Sequence, residues 1–167
     1  MNTDKKEKNC MKKYGLAVVM VSFVAMAVFA GQKGAKELDS KNIPEAVIKA
    51  FKSAYPNATV KETEKEKKHG KELYEIKSME GTVKREVAYN ADGSVYKLAE
   101  SMDAKNLPDA VKNSISSAYP KGKITCATKI VKDNATKYKI RVRFTLTWKN
   151  IMVDETGQVL KREKKKK

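Results

Sequence analysis

The sequence has little of what makes chemistry recognisable. Its 167 residues include two cysteines, one histidine and one tryptophan, with eight glycines and four prolines. Two cysteines are too few for a disulfide-stapled scaffold. His69 with Cys10 and Cys126 falls short of the four ligands of a zinc site. His69 also lies in the charged turn EKEKKHGK, where no Ser-His-Asp relay is expected. There is no P-loop and no dinucleotide glycine motif. Collagen-like and Pro/Gly-rich disordered compositions are excluded. The length suits one small domain or two very small ones and excludes a large multidomain enzyme. The chain therefore reads as non-catalytic, with no cofactor and no metal.

What it has is charge, mostly of one sign. Lysine and arginine total 36 against 20 acidic residues, a formal net charge of +16 and a pI of about 9.7. The chain ends in a lysine-rich run whose last residues, 165–167, read as a basic tail. Such runs contact anions. Nucleic acid is an obvious anion, but no nucleic-acid motif appears, and the N-terminus points to export. Met11-Lys12-Lys13 precedes an uncharged stretch from Leu16 to Ala30, closing on Val28-Phe29-Ala30. A basic flank, an apolar run shorter than a membrane span and small closing residues read as a signal peptide over 1–30, cleaved after Ala30. Either Met1 or Met11 serves as the start. The expected location is periplasmic or secreted, with no transmembrane anchor after cleavage. The expected partner is a protein or peptide, acidic by charge complementarity, or an anionic envelope surface. Cleavage leaves Cys126 as the single cysteine, expected to be a small buried apolar residue.

From about residue 38 onward the chain is one unit written twice. Displaced by 64 residues, KNIPEAV (41–47) falls on KNLPDAV (105–111), and SAYP (53–56) on SAYP (117–120). Without a gap, Tyr74 then meets Tyr138, Gly93 meets Gly157 and Lys97 meets Lys161. A constant offset of this extent implies duplication, with units near 38–100 and 102–164. Units of about 60 residues have marginal cores, so the two are expected to share a sheet or pack tightly.

Each unit opens with a helix. Asn42 and Glu45 suggest a capping box, and Pro44 suits the first turn. Val47, Phe51 and Ala54/Tyr55 recur at helical spacing as a buried stripe, and Pro56 ends the helix by Tyr55. Asn106, Pro108, Asp109, Val111, Ile115, Ala118 and Tyr119 repeat the pattern. Strands follow at 58–66, 72–79 and 82–90, and again at 123–131, 136–144 and 146–153. The turns Asn90–Gly93 and Asp154–Gly157 each lead into a fourth. The fold class is α+β: two tandem copies of a helix followed by a four-stranded antiparallel sheet. Glu62, Glu64 and Glu66 alternate along one strand among lysines and read as a neutralised, solvated surface.

Side-chain alternation divides the second copy into two faces. Tyr138, Ile140, Val142 and Phe144 point one way, toward the helices. Lys137, Lys139, Arg141 and Arg143 point the other. If the next strand pairs as a hairpin, Trp148 and Met152 join the basic row on the open face. The first copy has Lys84 and Ala88 at the matching places. The candidate partner-binding residues are therefore Lys139, Arg141, Arg143, Trp148 and Met152. Trp and Arg favour binding surfaces; the alternative is that Trp148 covers a domain contact or a sheet edge.

IPEAVIKAFKSAYPNATV, YEIK and NADGSV, answered by LPDAVKNSISSAYP, YKIRV and DETGQV, resemble the repeat of secreted bacterial PepSY-like domains. These are grouped by fold with the beta-lactamase inhibitor protein. The resemblance covers nearly all of the chain after the leader. It implies a periplasmic or secreted tandem module whose curved sheet binds a protein or peptide, with inhibition of an envelope protein or peptidase as one form of that activity. The matching residues are architectural and carry no catalytic role.

Overall fold

The computed structural model describes residues 42–68 and 70–163, without the side chains of 161–163. The leader 1–30, His69 and the tail 165–167 lie outside the described residues. The chain runs α1 (Glu45–Ala54), β1 (Thr59–Lys68), β2 (Lys71–Glu80), β3 (Val83–Tyr89) and β4 (Val95–Met102). A 3-10 turn (Ala104–Asn106) leads to α2 (Asp109–Ala118), then β5 (Lys123–Lys132), β6 (Ala135–Arg143), β7 (Trp148–Asp154) and β8 (Val159–Glu163). The expected element order is present twice, but not as two sheets. All eight strands form one antiparallel sheet in chain order. The join is the β4–β5 ladder, from Leu98↔Val131 to Met102↔Ala127. Merging removes two edges, each of which would otherwise expose a row of backbone N–H and C=O groups.

Sheet and helices meet on one side only. Leu98 packs against the first core and Met102 against the second. Four residues apart on β4, they point to the same face. Both helices therefore cover one face, and neither covers the other, called the open face. Val47 and Phe51 of α1 are buried against Ile76 and Val87; Val111 and Ile115 of α2 are buried against Ile140 and Ile151.

The helix ends depart from the sequence reading. The N-caps are Pro44 and Pro108, both extended (ψ 141 and 146) and without a side-chain cap. Asn42 lies two residues before the cap, so the cap position itself is not the asparagine's. Pro44 instead accepts backbone bonds from Val47 and Ile48 through its carbonyl, at 3.0 and 3.2 Å. Ala54 and Ala118 are exposed, and Tyr55 and Tyr119 are half-buried C-cap residues rather than the foot of the stripe. A ten-residue helix turns only Val47/Phe51 or Val111/Ile115 fully inward.

The turns before β4 and β8 fasten the sheet to the helices. Gly93 and Gly157 have φ of +85 and +88, and a Cβ there would lie 2.7 and 2.6 Å from the carbonyl oxygens of Ala46 and Ala110. Only glycine allows this approach. Each turn is closed by a carboxylate, at different positions. Asp92 accepts from Ser94 N–H and Oγ at 2.8 and 2.6 Å; Asp154 accepts from Thr156 N–H and Oγ1 and from Gln158 N–H.

β7 begins at Trp148, two residues later than expected. Leu146 sits in the turn and is 91% exposed. Phe144 lies past β6, half-buried against Tyr119 at 6.2 Å. Cys126 is half-buried, not the fully buried apolar residue expected.

Candidate functional site: the open sheet face

The β6–β7 hairpin places the sequence-predicted residues together. Register pairs Lys139 with Met152, Arg141 with Asn150 and Arg143 with Trp148. Directly opposed residues share a face. All five candidates therefore lie on the open side, while Tyr138, Ile140 and Val142 are buried beneath the helices.

The centre of the group is ordered. Arg141 donates through Nε to Asn150 Oδ1 at 3.2 Å, and its guanidinium lies 4.9 Å from the centroid of the Trp148 ring. Stacking and hydrogen bonding hold the planar cation in one orientation, which lowers the entropy lost when it meets an anion. Asn150 is only 9% exposed and completes the arrangement. Its place between Trp148 and Met152, two residues from each, was the available signal that it shares their face. Arg143 is exposed at the strand end, while Trp148 and Met152 are half-buried. The Trp148 ring stands against Arg141 on that face.

The same face of the first repeat has different chemistry. Lys77 lies 3.1 Å from both Glu62 and Glu64, and 3.6 Å from Glu75. Lys97 pairs with Glu86 at 3.1 Å, and Lys68 pairs with Glu66. Burial alone would lower the Lys77 pKa, but the hydrogen bonds its ammonium donates to Glu62 and Glu64 outweigh it and hold it above its usual range. Glu75 shifts upward, first by burial and then by the neighbouring Glu86 charge. The neutralised surface expected for Glu62, Glu64 and Glu66 is present, with the cross-strand Lys77 as its main counter-ion. The second repeat has a row of cations beside an indole at the corresponding positions.

Among the described residues, no helix is long and apolar enough to cross a membrane. None of the curated proteins matches the chain. Solved structures do. A "putative periplasmic" protein from Bacteroides eggerthii has 17% identity and a TM-score of 0.59 over 72% of this chain and 88% of its own. A BLIP-like protein from Bacteroides fragilis has 21% identity and a TM-score of 0.55 over 72% and 85%. A DUF2874 family protein from Bacteroides uniformis has 17% identity and a TM-score of 0.57 over 72% and 88%. At these identities the likeness is one of fold. The family profile described as "Putative beta-lactamase-inhibitor-like, PepSY-like" matches residues 31–97 and 72–161. With two matches that together span most of its length, the chain belongs to the PepSY-like, beta-lactamase-inhibitor-like family.

Proposed function

We propose that the protein is an exported, non-catalytic binding module that engages an acidic segment of an envelope protein through the open face of its second repeat. Inhibition of that partner, an envelope protein or peptidase, is one outcome of such binding. The observation that carries the reading is the Arg141–Asn150–Trp148 arrangement on the sheet face opposite α1 and α2. A cationic row accelerates encounter with an acidic partner, and an aromatic anchor slows its release. The basic-apolar-small order of residues 11–30 and the "putative periplasmic" description of a structural neighbour support export.

A second reading, association with anionic envelope surfaces without a specific protein target, is favoured by the net charge of +16 alone. Trp148 separates the two. Proteins retained from a native envelope extract are compared at low and high salt for the wild type, Arg141→Ala with Arg143→Ala, and Trp148→Ala. The proposal expects one partner whose association slows in the arginine variant and whose dissociation speeds in the tryptophan variant. Retention that depends on salt and arginines but ignores Trp148 would favour the surface reading.

A further inference from the structure

The β6–β7 hairpin ends in an apolar tip. Past the last ladder pair, Arg143↔Trp148, Phe144 N–H closes the turn by donating to the Thr147 carbonyl at 2.8 Å. Leu146 in this turn is 91% exposed, against 56% for Val95 and 45% for Leu160, the other large exposed apolar side chains among the described residues. Aromatic rings stand at the base of the tip on both sides of the sheet. Trp148 lies on the open side with Arg141, and Phe144 meets Tyr119, the C-cap residue of α2, at 6.2 Å. Four cations surround these rings. Lys121 lies in the turn after α2, Lys123 and Arg143 oppose each other across β5–β6, and Lys149 lies over the Tyr119 and Phe144 rings at 5.3 and 5.6 Å. All four are exposed, and among the described residues none forms an ion pair with a carboxylate.

The positive charge is local and continuous. From Tyr119 to Val153 the only acidic residue is Asp133, in the β5–β6 turn at the other end of the sheet. Lys123 and Arg143 are a like-charge pair that repels unless an anion lies beside them. β8 stops at Glu163, opposite Asn150, so the chain leaves the sheet at the tip's end, and residues 164–167 that follow are all lysine. The matching turn of the first repeat has different residues. Glu80, Gly81 and Thr82 stand in place of Phe144, Thr145 and Leu146, and Lys84 in place of Trp148. Thr59 and Met79 replace Lys123 and Arg143. The backbone plan therefore requires neither the leucine nor the cations. A single exposed apolar side chain is ordinary on a soluble surface. An apolar apex, aromatic rings at its base and cations around them follow the order of a membrane interface, from acyl chains out to anionic headgroups.

We infer that the β6–β7 tip is an interfacial anchor that seats the second repeat on a bilayer of anionic phospholipid. Leu146 enters the boundary between headgroups and acyl chains. It lies at most two residues past the Arg143–Trp148 pair, about 7 Å at roughly 3.3 Å per residue, which suits an interfacial depth of about 5–10 Å. Phe144 and Trp148 then sit at headgroup level, and Lys121, Lys123, Arg143 and Lys149 meet the phosphates. A protein pocket could also hold one leucine. Cations on both sides of the tip, with a lysine run leaving the same end, favour an extended anionic surface. The inference goes beyond the proposed function and does not rest on it: Lys139 and Met152 lie four residues back from Arg143 and Trp148 along the face.

The test titrates protein purified after export with vesicles of equal parts phosphatidylglycerol and phosphatidylcholine, and with phosphatidylcholine alone. Trp148 is the one tryptophan of the chain and reports directly on the tip. The inference expects its emission to shift to the blue on the anionic vesicles and to be quenched by lipids brominated near the headgroup. Phosphatidylcholine alone should give neither change. Leu146→Ser, at an exposed position that leaves the fold intact, should weaken vesicle binding about tenfold. Lys121→Ala with Lys123→Ala should weaken it about thirtyfold, at about fivefold per cation near an anionic surface. Vesicle binding that ignores Leu146→Ser and leaves the Trp148 emission unshifted is adsorption by charge and overturns the anchor. Absence of binding to the anionic vesicles overturns it too. If Leu146→Ser then releases a protein retained from lipid-free extract, the tip belongs to a protein pocket. Each of these results leaves the Arg141 reading to its own test, because neither Leu146 nor Lys121 enters that test.

Discussion

The two repeats share a backbone plan and differ on both sides of the sheet. Beneath the helix, the first repeat places Ser78, Arg85 and Tyr89 where the second has Val142, Lys149 and Val153. Arg85 is buried, bonds Glu100 and Glu80 at 2.9 and 3.2 Å, and stacks on Tyr55 at 4.0 Å. Lys149 is exposed and only approaches the Tyr119 and Phe144 rings, at 5.3 and 5.6 Å. Above the sheet the contrast reverses: the first repeat neutralises its charges internally, and the second displays an ordered arginine beside an indole. Polar complexity lies beneath the helix in one copy and on the opposite sheet face in the other. Residues that dock helix on sheet, such as Val47/Val111 and Gly93/Gly157, are free of this divergence, whereas other positions are not, even core ones such as Tyr89/Val153.

The largest expected effect would break the comparison. Phe51→Ala and Ile115→Ala, one in each core, should cost about 3–5 and 2–5 kcal/mol. Because the β4–β5 ladder joins the repeats, either variant should lower a single denaturation transition. Two separated transitions in circular dichroism would mean that the repeats fold independently.

A smaller effect sharpens the contrast beneath the helices. Arg85→Ala strips two carboxylates and Tyr55 of their shared cation and should destabilise by about 2 kcal/mol, since its partners are partly solvated. Lys149→Ala should change the denaturant midpoint by less than about 0.5 kcal/mol. Equal effects would erase the proposed difference.

Smaller again, and opposite in sign, is the response of the polar core of the first repeat. The Ser78 and Tyr89 hydroxyls are buried and find no hydrogen-bond partner, and burial pushes the Tyr89 pKa upward. Tyr89→Phe should be neutral or stabilise by up to about 1 kcal/mol. A loss would assign the hydroxyl a partner.

The smallest effect is a pH dependence on the open face. The raised pKa of Glu75 means that the fold favours its protonated form. Its charged form therefore weakens the fold at neutral pH, and that weakening fades as pH falls through the raised pKa toward the ordinary carboxylate value. Glu75→Gln should raise the melting temperature at neutral pH and lose its advantage in acid. An advantage that grows in acid would reverse the assignment.

Much of this was legible in the sequence for a physical reason. A period of two along β6 fixes which residues face the helices, so one assumption of a hairpin placed Arg141, Arg143, Trp148 and Met152 together. The register irregularity between Ile124 and Cys126, which puts Lys123 and Cys126 on one face although their spacing is odd, was not legible. The single sheet was left open for the same reason: alternation describes a strand's faces, not its edges. Asn42 misled because its type suits a cap, while Pro44, two residues on, takes the position.

The central claim is that the second repeat, and not the first, presents the binding face. A photoreactive side chain placed at Met152 or at Glu64, both on the open side but in different repeats, tests it in living cells. The account predicts a covalent adduct with one envelope protein from position 152, none from position 64, and loss of the first on Trp148→Ala. Equal adducts from both positions, or an adduct from 64 alone, would contradict it.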